Sequence, residues 1–521
     1  HLPRLFAPDA QLWGLSSFLG GAAAASTTSS KEQLWGLTAT NAALLGVVGA
    51  YGDWWRAHAA LLPLVVPCVT ACLAHPALVG AAVAAFRRIC DSCRAQLAPA
   101  AAGMVGLACE VVLAGAAVPP REQQRIAEAV AEVLMALPPP ELAPALAPLA
   151  DALAGRLRAS LALLEAAPPR LDARAAAPYA APLAAHLRLA EALARGLQFS
   201  DDAEERALQA PDADAAAAMA RAAQCYRDSA ALAAFRRCLA AVLERVFAAR
   251  LWQRAPCGGL AEVDDALLEG VLAVVNSTAR RSPHVLAMGF GASVAFVAGA
   301  WAAVIARHDG DGDDARHAPA ALGPRWADQS PAFLQTITQL VTVSRPDADA
   351  DAALAALLSR AVDDVCAAVA CDAPSLPVAI EQQPVISEYV FDLCTRVLQA
   401  RPDLLPRMAP PAVRRVCELS VHALSVPSRL ALRPTAYFVT ALVRLSQATA
   451  QANASPASDL LQALWAQHGA AWLQTTLAAI GGTHPRSLLP NLSELLFAMV
   501  RHHPEPVRLW MTELLAQPSF P

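Results

Sequence analysis

The sequence has few charged and few aromatic residues. Only 16% of its 521 residues are charged and 5% are aromatic, whereas 56% are hydrophobic, with alanine and leucine prominent. Disordered chains have the opposite composition, so most of this chain is expected to fold. Strand-like alternations of valine, isoleucine, threonine and tyrosine are also scarce, and alanine and leucine favour helices. We therefore predict an all-α protein.

An excess of basic residues is missing as well. The formal net charge is -5, from 40 basic and 45 acidic residues. Because proteins that bind DNA or RNA normally carry a basic surface, direct nucleic-acid binding is not expected. A mildly acidic chain is better suited to basic protein partners.

The sequence also lacks the common catalytic motifs. It contains no Gly-x-x-x-x-Gly-Lys-Ser/Thr phosphate loop, no dinucleotide-binding glycine pattern after a strand and no Gly-x-Ser-x-Gly nucleophile motif. Neither enzyme activity nor a cofactor is therefore predicted.

Three short patterns resemble metal sites but are interpreted as structural. Cys90 and Cys93 lie on an apolar helix stripe, and no second Cys/His pair stands at zinc-site spacing, so core packing is predicted. The aspartates that follow Asp309 lack the glutamate that ends a calcium loop. His502-His503 precedes a proline turn and is expected to be solvated. No metal site is predicted.

Helical segments of about 15 to 25 residues recur along the chain, separated by proline, glycine or short polar breaks. This spacing is typical of stacked helix pairs of about 40 to 47 residues, as in HEAT and armadillo arrays. We predict an α-α superhelix, a HEAT/armadillo-type solenoid of antiparallel helix pairs, forming a single domain over residues 1–521. Loops are predicted at 20–30, 200–214 and 308–323.

One predicted helix provides the candidate partner surface. Its apolar stripe consists of Phe86, Ile89, Cys90, Cys93 and Leu97. The opposite face carries four charged residues, of which the first and third are spaced to pair one turn apart: Arg87, Arg88, Asp91 and Arg94. Such a face is most often simply solvated, so partner binding and solvation both remain open.

Several blocks of sequence resemble one protein family. They lie, in order, at residues 86–94, 401–405, 423–427, 479–482, 486–488, 495–498 and 517–521. The first resembles a helix with a basic pair, an isoleucine and a Cys-x-x-Cys, and the others resemble the C-terminal HEAT repeats. The family is the importin-β (karyopherin-β) family of nuclear transport receptors, in the branch of importin-thirteen and transportin-three.

The resemblance implies a receptor that shuttles between nucleus and cytoplasm. Its implied partners are protein cargo, the GTP-bound GTPase Ran, and the phenylalanine-glycine repeats of nucleoporins. The principal Ran-binding repeats of this family are N-terminal, and His1 is not an initiator residue. The chain is therefore expected to be the middle and C-terminal part of a longer receptor.

Two other functions remain open from the sequence. One is a cytosolic HEAT-repeat scaffold that assembles protein complexes without contacting Ran or the pore. The other is a membrane-anchored helical protein, because residues 285–306 form an uncharged stretch about as long as the roughly 20 residues that a spanning helix needs. The family resemblance favours neither, and no membrane contact is predicted.

Overall fold

The computed structural model describes residues 31–113, 118–167, 173–198, 221–222, 224–226, 228–248, 261–280, 290–306, 324–371, 376–451 and 456–516. Within these ranges the regular structure is helical, which confirms the predicted all-α class. The loops predicted at 20–30, 200–214 and 308–323 lie outside the described residues.

The chain divides into two compact units, which are described separately. The first comprises His1–Val246 and Cys257–Ala287, and the second comprises Phe247–Pro256 and Met288–Pro521. The prediction of one array over residues 1–521 stays a prediction.

The first unit contains eleven described α-helices, the tenth of which extends two residues past its boundary. They are α1 (Lys31–Ala50), α2 (Gly52–Ala57), α3 (Leu62–Ala71), α4 (Val79–Ser92), α5 (Arg94–Leu97), α6 (Ala101–Leu107), α7 (Pro120–Leu134), α8 (Pro139–Glu165), α9 (Ala173–Gly196), α10 (Ala230–Ala248) and α11 (Ala261–Arg280). Short 3-10 turns lie at Ala59–Leu61, Cys72–Ala74 and Ala98–Ala100, and a π-helical turn at Ala108–Leu113.

The long helices of the first unit form two layers. In the first layer α1, α4, α7, α9 and α11 each contact the next. In the second layer α6 contacts α8, and α10 reaches α8 through the Cys238 thiol, which lies 3.6 Å from the Ala154 carbonyl oxygen. Each helix therefore buries its apolar stripe against the neighbouring repeat, because one helix pair cannot cover it alone.

The second unit contains ten described α-helices. They are α12 (Phe290–Ala306), α13 (Pro324–Val343), α14 (Ala348–Cys371), α15 (Leu376–Gln382), α16 (Pro384–Ala400), α17 (Pro410–Ser425), α18 (Arg429–Gln451), α19 (Pro456–Ala478), α20 (Leu489–His502) and α21 (Pro504–Leu515). Short turns of 3-10 helix lie at Pro402–Arg407 and Arg486–Leu488, and a π-helical turn at Ala479–Thr483.

These helices also alternate between two layers. One layer is the series α13, α16, α18 and α20, and the other is α12, α14, α17, α19 and α21, with each helix contacting the next in its series. Several helices begin at a proline, among them α16, α17 and α21. Proline suits this position because its fixed φ matches the helix and its missing N–H has no partner in the first turn.

The predicted apolar stripe of Phe86, Ile89, Cys90, Cys93 and Leu97 is confirmed. All five side chains are buried, on α4 and the short α5 that follows it. The break between the two helices falls at Cys93, where Arg56 Nε donates a hydrogen bond of 2.8 Å to the carbonyl oxygen of Ser92.

Two glycines allow helices to approach closely. A Cβ at Gly196, at the end of α9, would overlap the Glu128 carbonyl oxygen and lie 2.6 Å from the Ala131 Cβ. A Cβ at Gly469, in α19, would lie 2.6 Å from Cη2 of Trp510. Only a residue without a side chain fits these contacts.

The apolar stretch at 285–306 was the basis for the membrane alternative. Its described part is α12, which spans 17 residues. Among the helices that the structure describes, none combines the length and the hydropathy needed to cross a bilayer.

Candidate partner-binding surface

The four predicted surface residues all lie on α4 and α5, opposite the buried stripe. Arg87, Arg88 and Asp91 are exposed, and Arg94 keeps 30% of its side chain accessible. The carbon chain of Arg88 runs past Gly49 of α1, where an added Cβ would lie 3.3 Å from Cδ of the arginine. The structure thus brings the four residues to one face, as their spacing predicted.

Their ion pairs differ from the predicted one. Arg87 does not pair with Asp91; its Nη2 lies 3.8 Å from Glu128 of α7. Asp91 instead pairs with Arg94 at 2.6 Å, and Arg94 also reaches Glu132 of α7 at 3.4 Å. The carboxylates of α7 are nearly buried, so each gains more from a nearby guanidinium than the exposed Asp91 does.

Glu128 and Glu132 were missed by the sequence reasoning. They are 8% and 9% exposed and lie one turn apart on α7. Burial raises the pKa of Glu132, and the nearby Arg94 opposes that rise. The only sequence signal was two glutamates four residues apart within the otherwise apolar run 126–134.

Glu128 connects α7 to α9 as well as to α4. Arg195 Nη2 lies 3.2 Å from Glu128, and its Nη1 lies 3.1 Å from Glu191 on the same helix. Further along the layer, Arg188 pairs with Glu269 of α11 at 2.8 Å. Arginine–glutamate pairs therefore link successive helices of the first layer, from α4 to α11.

An open groove of 330 Å³ lies where α4, α7 and α9 meet. Four guanidinium groups and one carboxylate line it, together with one amide: Arg87, Arg121, Arg125, Arg195, Glu128 and Gln124. Of these, Arg121 is exposed and has no ion-pair partner among the described residues, and the same is true of Arg88 nearby on α4. The groove lining carries more positive than negative charge.

The Cys-x-x-Cys pair packs in the core, as predicted. Cys90 and Cys93 are both fully buried, and the Cys93 thiol points to the Gly52 carbonyl oxygen at 3.7 Å. Burial raises the pKa of both thiols, so neither is disposed to form the thiolate that a metal needs. In the described part of the chain, no three His, Cys, Asp or Glu side chains are placed to hold a metal ion.

Three more buried thiols lie in the second unit. Cys366, Cys394 and Cys417 come from α14, α16 and α17, and all three are buried. Burial raises the pKa of each thiol most, and a neighbouring cysteine raises it further. They behave as small apolar side chains of the core.

The prediction of a solvated turn at His502-His503 was wrong. His503 stacks on Trp465 with ring centroids 4.4 Å apart, and its Nε2 lies 2.8 Å from the Ser446 hydroxyl. His502 bonds through Nδ1 to the side chain of Gln447. Burial lowers the pKa of both histidines. The turn is packed because the preceding repeat supplies an aromatic ring and polar partners, which local sequence does not reveal.

The second unit also contains a buried ion-pair network. Arg401 is 4% exposed and Asp351 2% exposed, and Arg401 Nη2 lies 2.7 Å from an Asp351 carboxylate oxygen. Arg401 also pairs with Asp403 at 2.7 Å, and Arg407 reaches Asp351 at 3.4 Å. Hydrogen bonds to Asp403 and Asp351 raise the pKa of Arg401. The network joins the start of α14 to the end of α16.

The C-terminal repeats match a known family. Residues 424–507 match the family model described as Importin 13 repeat, and they contain α18, α19 and α20. This segment is similar to an importin-13 repeat. The resemblance to the importin-β family, close to importin-13, is thereby confirmed. The matched segment contains three of the sequence blocks that suggested it, at 479–482, 486–488 and 495–498.

Solved structures confirm the fold class. The structure "Importin13 cytosolic state" is similar at a TM-score of 0.61 and 16% identity, over 97% of this chain and 50% of that chain. At this identity the likeness establishes the fold, an α-α superhelix of HEAT type. The chain thus spans about half the length of this relative.

A solved structure of importin β is less similar to the chain. "Crystal Structure of Importin Beta in an Ammonium Sulfate Condition" has a TM-score of 0.41 at 12% identity, over 94% of this chain and 52% of that chain. No curated protein matches the sequence.

Proposed function

We propose that the chain is part of a karyopherin-type nuclear transport receptor. It binds protein cargo and takes part in passage through the nuclear pore regulated by Ran-GTP. The importin-13 repeat at residues 424–507 is the observation that carries this proposal. The fold shared with importin-13 supports it.

The repeat architecture suits such a receptor. In each unit a helix contacts mainly helices of its own repeat and of the adjacent repeats, so the angle between repeats can change without unfolding any of them. If cargo and Ran-GTP favour different angles, each weakens binding of the other by the same factor, because the coupling between two ligands is reciprocal. No catalytic step and no cofactor are part of the proposal.

Passage through the pore requires contact with nucleoporins. We propose that phenylalanine side chains of their phenylalanine-glycine repeats bind in apolar grooves between adjacent helices, a form of recognition that needs no catalytic group. The receptor would then shuttle between nucleus and cytoplasm.

The test is a pull-down of the whole protein, with the 521-residue chain beside it, against Ran loaded with GTP or GDP and against a phenylalanine-glycine repeat peptide. The proposal predicts binding to Ran-GTP that exceeds binding to Ran-GDP, and binding to the repeat peptide. Binding by the 521-residue chain alone would assign part of the Ran contact to its repeats. If the whole protein binds neither, the cytosolic scaffold function takes its place.

A further inference from the structure

The groove between α4, α7 and α9 has the chemistry of an anion site. Arg87, Arg121, Arg125 and Arg195 line it, and Glu128 supplies the only carboxylate among the described lining residues. Such a concentration of positive charge contrasts with the chain as a whole, whose net charge is -5. The groove is therefore a basic surface, on the first layer of the first unit, in a chain that is mildly acidic overall.

The arrangement of the arginines costs stability. Arg121 is the second residue of α7, where the helix dipole disfavours a positive charge. Arg125 follows one turn later on the same face, and like charges at this spacing repel. Arg125 has Glu122 as a partner at 3.1 Å, but no described carboxylate pairs with Arg121. A bound anion would relieve this repulsion.

Arg195 lines the same groove and is already held by two glutamates. Its two terminal nitrogens bond Glu191 and Glu128, whereas its Nε is buried and has no acceptor among the described residues. Among the described residues, Arg87 is held only by a long contact of 3.8 Å to Glu128. Arg87 and Arg121 therefore keep hydrogen-bond capacity for a further acceptor.

We propose that this groove binds an acidic, carboxylate-rich segment of a partner protein. Guanidinium groups match carboxylates because their planar N–H pairs bond both oxygens at once. An open groove of 330 Å³ admits a few side chains rather than a folded domain or a duplex. A protein segment is favoured over a nucleic acid because the chain as a whole has no basic excess, its formal net charge being -5.

The experiment measures binding of a fluorescein-labelled peptide of alternating glutamate and serine to the 521-residue chain, by fluorescence anisotropy. A peptide with glutamine in place of glutamate is the neutral control, and an oligouridylate of matched charge tests the nucleic-acid alternative. Titrations at low ionic strength and at about 0.15 M ionic strength, where the Debye length is about 8 Å, report the electrostatic contribution to the binding free energy.

Arg121→Glu is the decisive variant, because a glutamate in the first turn of α7 is compatible with the helix dipole. We expect it to weaken peptide binding roughly tenfold or more, and Arg121→Gln to have a smaller effect in the same direction. Arg158→Glu is the matched control: it reverses an exposed arginine on α8, outside the groove, and should leave the dissociation constant within roughly twofold.

Several results would overturn the proposal. They are no binding of the glutamate peptide at low salt, equal binding of the glutamine peptide, or equal losses in Arg121→Glu and Arg158→Glu. Tighter binding of the oligouridylate with the same loss in Arg121→Glu would assign the groove to nucleic acid instead. The inference does not depend on Ran or pore binding, so the pull-down and this titration succeed or fail separately.

Discussion

The first layer of the first unit and the second unit differ in how deeply the polar side chains that join neighbouring helices are buried. From α4 to α11, arginines that are roughly a third to a half exposed pair with glutamates, of which Glu128 is nearly buried. In the second unit, by contrast, the Arg401–Asp351 pair is fully buried, and His503 stacks as a neutral ring on Trp465. Neighbouring helices of this repeat type can thus be joined by partly exposed ion pairs or by buried polar contacts.

This difference has consequences for stability. Ion pairs near water are worth little, with typical values of about 0 to 1 kcal/mol, because solvent screens them. A buried pair contributes little net stability, but removal of one partner is costly because the other charge remains in the interior. The second unit should therefore be the less tolerant of single charge deletions.

The largest effect is expected for Arg401→Met. It leaves the buried Asp351 with only Arg407 at 3.4 Å, and should destabilise the repeats around α14 and α16 by about 3 to 5 kcal/mol. Hydrogen exchange of peptides from these helices measures the change. Arg508→Met is the control, because Arg508 and its partner Glu505 are both more than two-thirds exposed, and it should change stability by less than about 0.5 kcal/mol. Equal effects of the two variants would contradict the contrast.

A second, smaller effect is expected for Gly196→Ala in the first unit. The added methyl group would overlap the backbone of α7, so α7 and α9 must separate, at a cost of about 1 to 3 kcal/mol. Gly155→Ala is the matched control: a Cβ there meets nothing within 4 Å, and alanine within a helix should stabilise by about 0.5 to 1 kcal/mol. Urea unfolding followed by circular dichroism should therefore give shifts of opposite sign. Shifts of the same sign would show that α9 does not approach α7 as described.

The smallest effect concerns pH and sharpens the contrast at the C-terminal repeats. Burial lowers the pKa of His468, His484 and His503 below the ordinary value of 6.5. As the pH falls, these histidines therefore bind protons more readily in the unfolded chain than in the folded chain. The stability that the neutral rings contribute is complete above pH 6.5 and is lost as the pH falls through their lowered pKa values in the folded chain.

Tryptophan fluorescence during urea unfolding, at about pH 7.5 and about pH 5.5, measures this loss. A His468→Gln/His503→Gln variant should show a weaker pH dependence than the original chain. In the first unit, His186, which also has a pKa lowered by burial, serves for comparison, and His186→Gln should leave most of the acid sensitivity in place. An unchanged pH dependence in the double variant would exclude these rings as its source.

The helical class and the family resemblance could be predicted from the sequence because they depend on local patterns. The stripe from Phe86 to Leu97 follows from helical periodicity alone, and so does the position of Arg87 and Arg88 on the opposite face. Short motifs such as those within residues 424–507 carry the family signal without any knowledge of contacts.

The pairings could not be predicted, because they depend on which helices become neighbours. Arg195 meets Glu128 across a separation of 67 residues, and Arg401 meets Asp351 across 50. Spacing within α4 suggested an Arg87–Asp91 pair, yet the nearly buried Glu128 of another helix is the partner. His503 was assigned to solvent for the same reason, since Trp465 and Ser446 are remote in sequence.

The buried thiols of Cys366, Cys394 and Cys417 allow the rate of local opening in the second unit to be measured. Burial keeps them protonated, and only the thiolate, as the nucleophile, attacks an alkylating reagent. Alkylation therefore waits for α14, α16 and α17 to part and admit solvent. The alkylation rate of each cysteine, measured by mass spectrometry of its peptide, would report how often the surrounding helices open. The same measurement would show whether a bound partner slows that opening.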